Sequence, residues 1–151
     1  MIRIREARPE DATAITNIHI QSRQEAMPWL PNLHTDDETQ EWIANVVLPN
    51  QQVWVAEFDG IVAGFAAVSG EMLEQLYVSP GFQGKGLGTA LLAKSIEIGD
   101  RPLRLWTFQR NEAARAFYFR RGFREITFTD GADNEENEPD VLFEHAPSSD
   151  T

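Results

Sequence analysis

The segment Gln83-Gly84-Lys85-Gly86-Leu87-Gly88 constrains this chain more than any other. It follows Met72 to Val78, a run with strand character that stops at Ser79-Pro80-Gly81. It leads into a stretch from Gly86 to about Ile98 in which Leu87, Leu91 and Ile98 share one helical side. A helix start carries unpaired N–H groups and a partial positive charge, which suits a phosphate. Glycines let the backbone approach such an anion closely, and Lys85 adds a positive charge nearby. Two familiar phosphate loops are excluded. The Walker pattern needs Ser or Thr after its lysine, where this chain has Gly86. The dinucleotide fingerprint needs a third glycine where Thr89 stands. A glycine-rich turn that merely starts a helix has the same spacing.

The elements around this turn alternate without internal repeat. Ile2 to Glu6 alternates apolar with charged residues, as a half-buried strand does. Pro9, Glu10 and Asp11 suit a first helical turn, and Ile15, Ile18 and Ser22 continue that helix to about Ala26. Met27-Pro28-Trp29-Leu30-Pro31 breaks it. Thr35-Asp36-Asp37-Glu38 has capping-box spacing and opens a second helix with Trp42, Ile43, Val46 and Val47 as apolar contacts. Gln52 to Phe58 and Ile61 to Val68 form a hairpin about Asp59-Gly60. After the central helix, Leu103 to Phe108 is a strand and Asn111 to Arg121 a helix closed by Gly122. Phe123 to Thr129 and Val141 to His145 are the last strands, with an acidic loop, Asp130 to Asp140, between them. The expectation is a single three-layer α/β domain over residues 2–146. Its central sheet is mixed and mostly antiparallel, with helices on both faces. Residues 147–151 are expected to form a frayed tail.

Composition narrows the function classes. The 151 residues carry 24 acidic and 13 basic side chains, a formal net charge of −11, which disfavours general nucleic-acid binding. The acidic surface favours cationic partners and solubility. The bases concentrate in the second half, from Lys85 to Arg124, where an anionic ligand would find counter-charges. No run is long and apolar enough to span a bilayer, and the charged start lacks a signal-peptide core, so a cytoplasmic location is expected. There is no cysteine to carry an acyl group or to hold a metal. His19 and His145 are isolated in sequence and lack metal-ligand spacing, so no metal is expected.

Leu76-Tyr77-Val78-Ser79-Pro80 followed by Gln83-x-x-Gly86-x-Gly88 resembles the signature motif of the GNAT superfamily of N-acetyltransferases. Asn111-Glu112-Ala113-Ala114-Arg115-Ala116-Phe117-Tyr118, with Gly122-Phe123, is similar to the family's second block. The order of elements agrees over roughly residues 2–145.

The resemblance implies acetyl-CoA as co-substrate and an amine acceptor. It assigns the pyrophosphate to Gln83, Gly84, Lys85, Gly86, Leu87, Gly88 and Thr89. It places a bulge in the strand Leu73 to Val78, splaying it from Leu103 to Phe108 so that the pantetheine arm pairs with backbone groups of Leu76 and Val78, beside Tyr77. Asn111 would touch that arm, although a plain helix N-cap is also expected there. Phe117 would pack on the cofactor or serve as ordinary core. Tyr118 would protonate the leaving thiolate, and a backbone N–H near Val78 would stabilise the oxyanion. Glu74, with Glu71 as runner-up, would take the amine proton or else only bind a cationic substrate. Trp29, Leu30 and His34 would wall the acceptor pocket or form a packed loop. The acidic run Asp133 to Asp140 is expected to be solvated, with attraction of a cationic acceptor as the alternative. Direct transfer to a small-molecule or peptide primary amine is the expected reaction. A longer acyl group, and a non-catalytic CoA-binding sensor or interaction module, are the alternatives. Homodimerisation is common in the family, but nothing in this sequence identifies an interface.

Overall fold

The computed structural model describes residues 1–146; the expected tail, 147–151, lies outside the described residues. Seven strands, β1 (Ile2–Glu6), β2 (Gln52–Phe58), β3 (Ile61–Ser69), β4 (Met72–Val78), β5 (Arg104–Phe108), β6 (Phe123–Thr129) and β7 (Asp140–His145), form one sheet ordered β1-β2-β3-β4-β5-β7-β6. Every neighbouring pair is antiparallel except β4 and β5. The helices are α1 (Ala12–Ala26), α2 (Asp36–Trp42), α3 (Leu48–Asn50), α4 (Leu87–Ile98) and α5 (Glu112–Arg120). This is the three-layer α/β arrangement expected.

Alternation along the strands feeds two cores. Phe65 and Ala67 of β3 join Val53 and Val55 against Ile15, Ile18, Ile43 and Val47 on the α1 side. Ala66 and Val68 face the other way, with Leu73, Leu105, Phe123 and Phe143 against Leu87, Leu91 and Leu92 of α4. Strand β3 is covered on both faces, which explains its nearly continuous apolar run. The three α4 leucines are at most 2% exposed. At roughly 1.5–3 kcal/mol for each buried side chain, they fix α4 and hence the glycine turn at its start.

Local signals are realised as expected. Asp59 and Gly60 both take positive φ, 50° and 85°, as a two-residue hairpin turn requires. The Glu38 N–H donates to Thr35 Oγ1 at 3.1 Å, and Glu38 Oε1 accepts from the Thr35 N–H at 2.8 Å. The second helix is less uniform than the periodicity suggests. After Trp42 the backbone widens into a π-helical stretch, Ile43–Val47, before α3. Ile43 and Val47 are buried, whereas Trp42 and Val46 stay exposed.

Two irregularities in β4 create the site. Residues Gly64 to Ala67 oppose Val78 to Gln75 one for one, but the next pair is Val68 with Leu73, so Glu74 is surplus. This bulge switches the strand's parity: Leu73, Leu76 and Val78 pack on the α4 side, while Gln75 and Tyr77 face α1. Beyond the bulge β4 and β5 part, and Met72 with Arg104 is their one paired register position.

Candidate active site

The divergence of β4 from β5 leaves a cleft of about 1170 Å³. The Ser79 N–H donates to Ala63 O at 2.7 Å, so Ser79 points its backbone groups at β3. By alternation, the N–H and C=O groups of Leu76 and Val78 face the cleft. The Val78 carbonyl already accepts from Ser22 Oγ at 2.9 Å and Gln83 Nε2 at 3.3 Å. Its N–H, not its carbonyl, is therefore the group left for a ligand.

One end of the cleft is the glycine turn. Gly84 and Gly86 hold φ of 79° and 92°, values that a residue with a Cβ adopts only under strain, and Gly86 is the N-cap of α4. Gly88 has ordinary φ, and a Cβ there would lie 3.5 Å from the Phe117 ring. Gln83, Gly84, Gly86, Leu87, Gly88 and Thr89 all line the cleft. Lys85 does not; its ammonium sits 5.3 Å above the Phe58 ring, on the outside of the turn.

The opposite wall is α5. Asn111 is its N-cap, with Oδ1 accepting from the Ala114 N–H at 3.2 Å, so the capping role holds while the side chain also lines the cleft. Phe117 lies between Gly88 and Arg121. Tyr118 is 8% exposed and packs edge-on to Phe117 and Phe123, with centroids 5.2 and 5.6 Å away. Among the described residues no group hydrogen-bonds its hydroxyl, and the side chain lines the cleft. Burial, with a smaller contribution from Tyr77, pushes its pKa above the ordinary phenol value, so the proton is retained at neutral pH.

A second cavity of about 860 Å³ lies on the α1 side of β4. Arg23, Met27, Glu74, Gln75, Tyr77 and Glu136 line both spaces and form their junction. The surplus residue of the bulge, Glu74, thus reaches the point where they meet. Burial raises its pKa above the ordinary carboxylate value, which makes it a better proton acceptor. Leu30 and His34 line this second cavity, as does Glu135, which meets His34 Nε2 at 2.9 Å. Trp29 lines neither space: Arg110 stacks 4.1 Å above its ring, and Phe108 meets it edge-on.

Several participants were not singled out by the sequence. His19 is not isolated; its Nδ1 lies 2.8 Å from Gln75 Oε1, and its ring meets Trp42 and Tyr77 edge-on. Burial first, then the Arg23 charge, lowers its pKa to about 4, so it is neutral at pH 7. Arg23 donates to Tyr77 Oη at 3.1 Å and Glu136 Oε2 at 3.2 Å. The available signal was three polar residues, His19, Ser22 and Arg23, on the inner side of α1. The acidic loop is also less solvated than expected. Glu135, Glu136 and Glu138 are tied to His34, Arg23 and Arg110 respectively.

Comparisons with known proteins bear on the family and the fold. The acetyltransferase (GNAT) family model matches residues 16–123. The peptidyl-lysine N-acetyltransferase YiaC of Escherichia coli is 30% identical over 121 residues, 80% of this chain and 82% of that protein. The apo-form YjaB structure from Escherichia coli superposes with a TM-score of 0.80 at 23% identity, over 98% of this chain and 99% of that one. The PaiA N-acetyltransferase of Thermoplasma acidophilum, solved in complex with coenzyme A, gives 0.72 at 20% identity, over 96% and 98%. Below 25% identity these structures speak to fold alone. The family match and the YiaC relationship cover most of the chain, and the protein therefore belongs to the GNAT acetyltransferase family.

Proposed function

We propose that this protein transfers an acetyl group from acetyl-CoA directly to a primary amine, with the side-chain amine of a peptide lysine as the preferred acceptor. The observation that carries this reading is the continuity of the two cavities at Glu74. A thioester lying along β4, with its phosphates at the Gln83–Thr89 turn, would bring its carbonyl to the place where the second cavity opens. The Val78 N–H is oriented towards that space and would stabilise the oxyanion. Glu74, directly or through water, takes a proton from the ammonium; the free amine nitrogen then attacks the carbonyl carbon. As the C–N bond forms and the C–S bond breaks, the nitrogen gives up its second proton to water and Tyr118 donates its proton to the departing sulfur, regaining one from solvent. No acyl-enzyme is needed, and no cysteine is present to form one.

A cationic acceptor is favoured by charge. Asp36, Glu38, Glu74, Glu135 and Glu136 line the second cavity, against Arg23 and a neutral His19 and with His34 held by Glu135. The apolar sides of Met27, Leu30 and Trp42 suit an aliphatic stem. YiaC is named as a peptidyl-lysine enzyme, which supports lysine as the amine.

The test is thiol release from acetyl-CoA in the presence of lysine peptides, peptides with only a free N-terminus, and linear polyamines, with calorimetric CoA titration alongside. Preferential release with lysine peptides is expected. Release only with another amine would refute the lysine assignment. CoA binding without release from any amine would refute catalysis of this transfer, and no CoA binding would refute the cleft assignment.

A further inference from the structure

Resting on the CoA reading above, we propose that Arg121 carries the positive charge to the phosphates of CoA, and so sets the preference for CoA over unphosphorylated pantetheine thioesters. A charge inventory leads there. Of the bases concentrated in the second half of the chain, Arg104 and Arg124 face Glu144, Arg110 faces Glu138, Arg115 faces Glu125 and Lys94 faces Glu97. Lys85, Arg101, Arg120 and Arg121 have no carboxylate partner among the described residues. Only Arg121 of these four lines the cleft. The other arginine on its wall, Arg23, is occupied by Glu136 and Tyr77. The turn expected to supply a lysine turns that lysine outward, over Phe58.

The guanidinium is held ready by neutral groups. Its Nε and Nη2 both donate to one hydroxyl, Thr89 Oγ1, at 3.2 and 3.0 Å. Its Nη1 donates to Phe117 O at 3.0 Å, and its Cζ lies 3.9 Å from the Phe117 ring centroid. Thr89 belongs to the first turn of α4, whose N–H groups are unpaired and whose dipole favours negative charge. Two parallel donors crowded onto one neutral oxygen are under-used, because a guanidinium fork matches two oxygens of a phosphate. Exchanging Thr89 for a phosphate would put one anion between a fixed arginine and a helix start. Packing on Phe117 holds the side chain near that geometry beforehand, which limits the ordering cost on binding.

The experiment compares wild type with Arg121→Gln and Arg121→Lys by calorimetric titration of CoA, dephospho-CoA and pantetheine. Arg121→Gln is expected to weaken CoA about 10- to 100-fold, the range for a charged hydrogen bond, with a shallower salt dependence. Pantetheine affinity should move little, so the preference for CoA collapses; Arg121→Lys should recover part of it. If dephospho-CoA loses as much as CoA, the contact is the diphosphate. If dephospho-CoA is already weakened in the wild type and loses nothing more, the contact is the 3′-phosphate. Equal losses for CoA and pantetheine, or no loss for either, would overturn the proposal. Failure of wild-type protein to bind CoA would instead overturn the reading on which it rests.

Discussion

Arg23 and Glu136, 113 positions apart in the chain, meet at 3.2 Å where the two cavities join. Arg23 comes from α1 and Glu136 from the loop between β6 and β7, so the pair fastens that loop across the end of the cleft. The side chains are 24% and 13% exposed, a pair intermediate between surface and interior. Glu136→Gln would keep the shape and remove the charge, leaving Arg23 with neutral acceptors only, Tyr77 Oη and the glutamine amide oxygen. The expected cost is ~1–2 kcal/mol, between the values for exposed and fully buried pairs. With the loop loosened, KM for the amine should rise about tenfold, ~1.4 kcal/mol, while CoA affinity holds. Steady-state kinetics with calorimetry on the variant check this; an unchanged amine KM would show that the loop does not shape the acceptor site.

Gly131 is the hinge on which that loop depends. It sits at φ 82°, and a Cβ there would lie 2.3 Å from the Glu138 carbonyl, far inside van der Waals contact. Asn134 also bridges to Glu138, accepting from its N–H at 3.1 Å and donating to its carbonyl at 2.8 Å. Gly131→Ala is therefore expected to displace the loop and break the Glu135, Glu136 and Glu138 ties together, at a cost of ~2–3 kcal/mol. Thermal denaturation should show the drop in Tm, and the amine KM should rise more than in Glu136→Gln. An alanine variant with wild-type Tm would mean that the loop tolerates rearrangement at this turn.

These ties explain where sequence reading stops. The Asp59-Gly60 turn, the Thr35 and Glu38 capping box and the Gly122 helix end are governed by a few consecutive residues, and each is realised as expected. The glycine turn and the α5 motif were legible for the same reason. The surplus position of Glu74 was not, because a bulge is defined by the register of the partner strand, here Val68 against Leu73. Trp29 and Lys85 were assigned to the site from their place in the chain, yet Arg110 and Phe58 draw them elsewhere. The acidic run looked solvated because its counter-ions lie far away in sequence: His34, 101 positions from Glu135, and Arg23.

The two histidines near the acceptor cavity have their pKa values shifted in opposite directions. His19 has its folded pKa lowered to about 4, chiefly by burial, so between about pH 6.5 and 4 the unfolded chain binds a proton that the folded one refuses. Stability contributed by neutral His19 is thus full above about pH 6.5 and is lost as pH falls, by up to ~3 kcal/mol. His19→Gln should flatten the decline of Tm from pH 7 to 4.5; a slope as steep as wild type would sink the assignment. His34 has its pKa raised by the hydrogen bond to Glu135, so its tie to the loop is present at lower pH and lost as pH rises through the folded pKa.

Tyr118→Phe separates catalysis from packing. The phenyl ring keeps its contacts with Phe117, Phe123 and Phe143, and only the hydroxyl is lost. That hydroxyl opens on the cleft and has no hydrogen-bond partner among the described residues, so Tm should stay level. CoA affinity should also hold. If the proton on the departing sulfur comes from this phenol, kcat should fall about 100-fold or more. The pH profile adds an independent check. With the pKa raised above the ordinary phenol value, Tyr118 produces no alkaline loss of activity below about pH 10. Full activity in the phenylalanine variant would remove Tyr118 from the mechanism and leave water as the proton source. A fall in kcat accompanied by an equal loss of CoA binding would make it a positioning residue for the thioester instead.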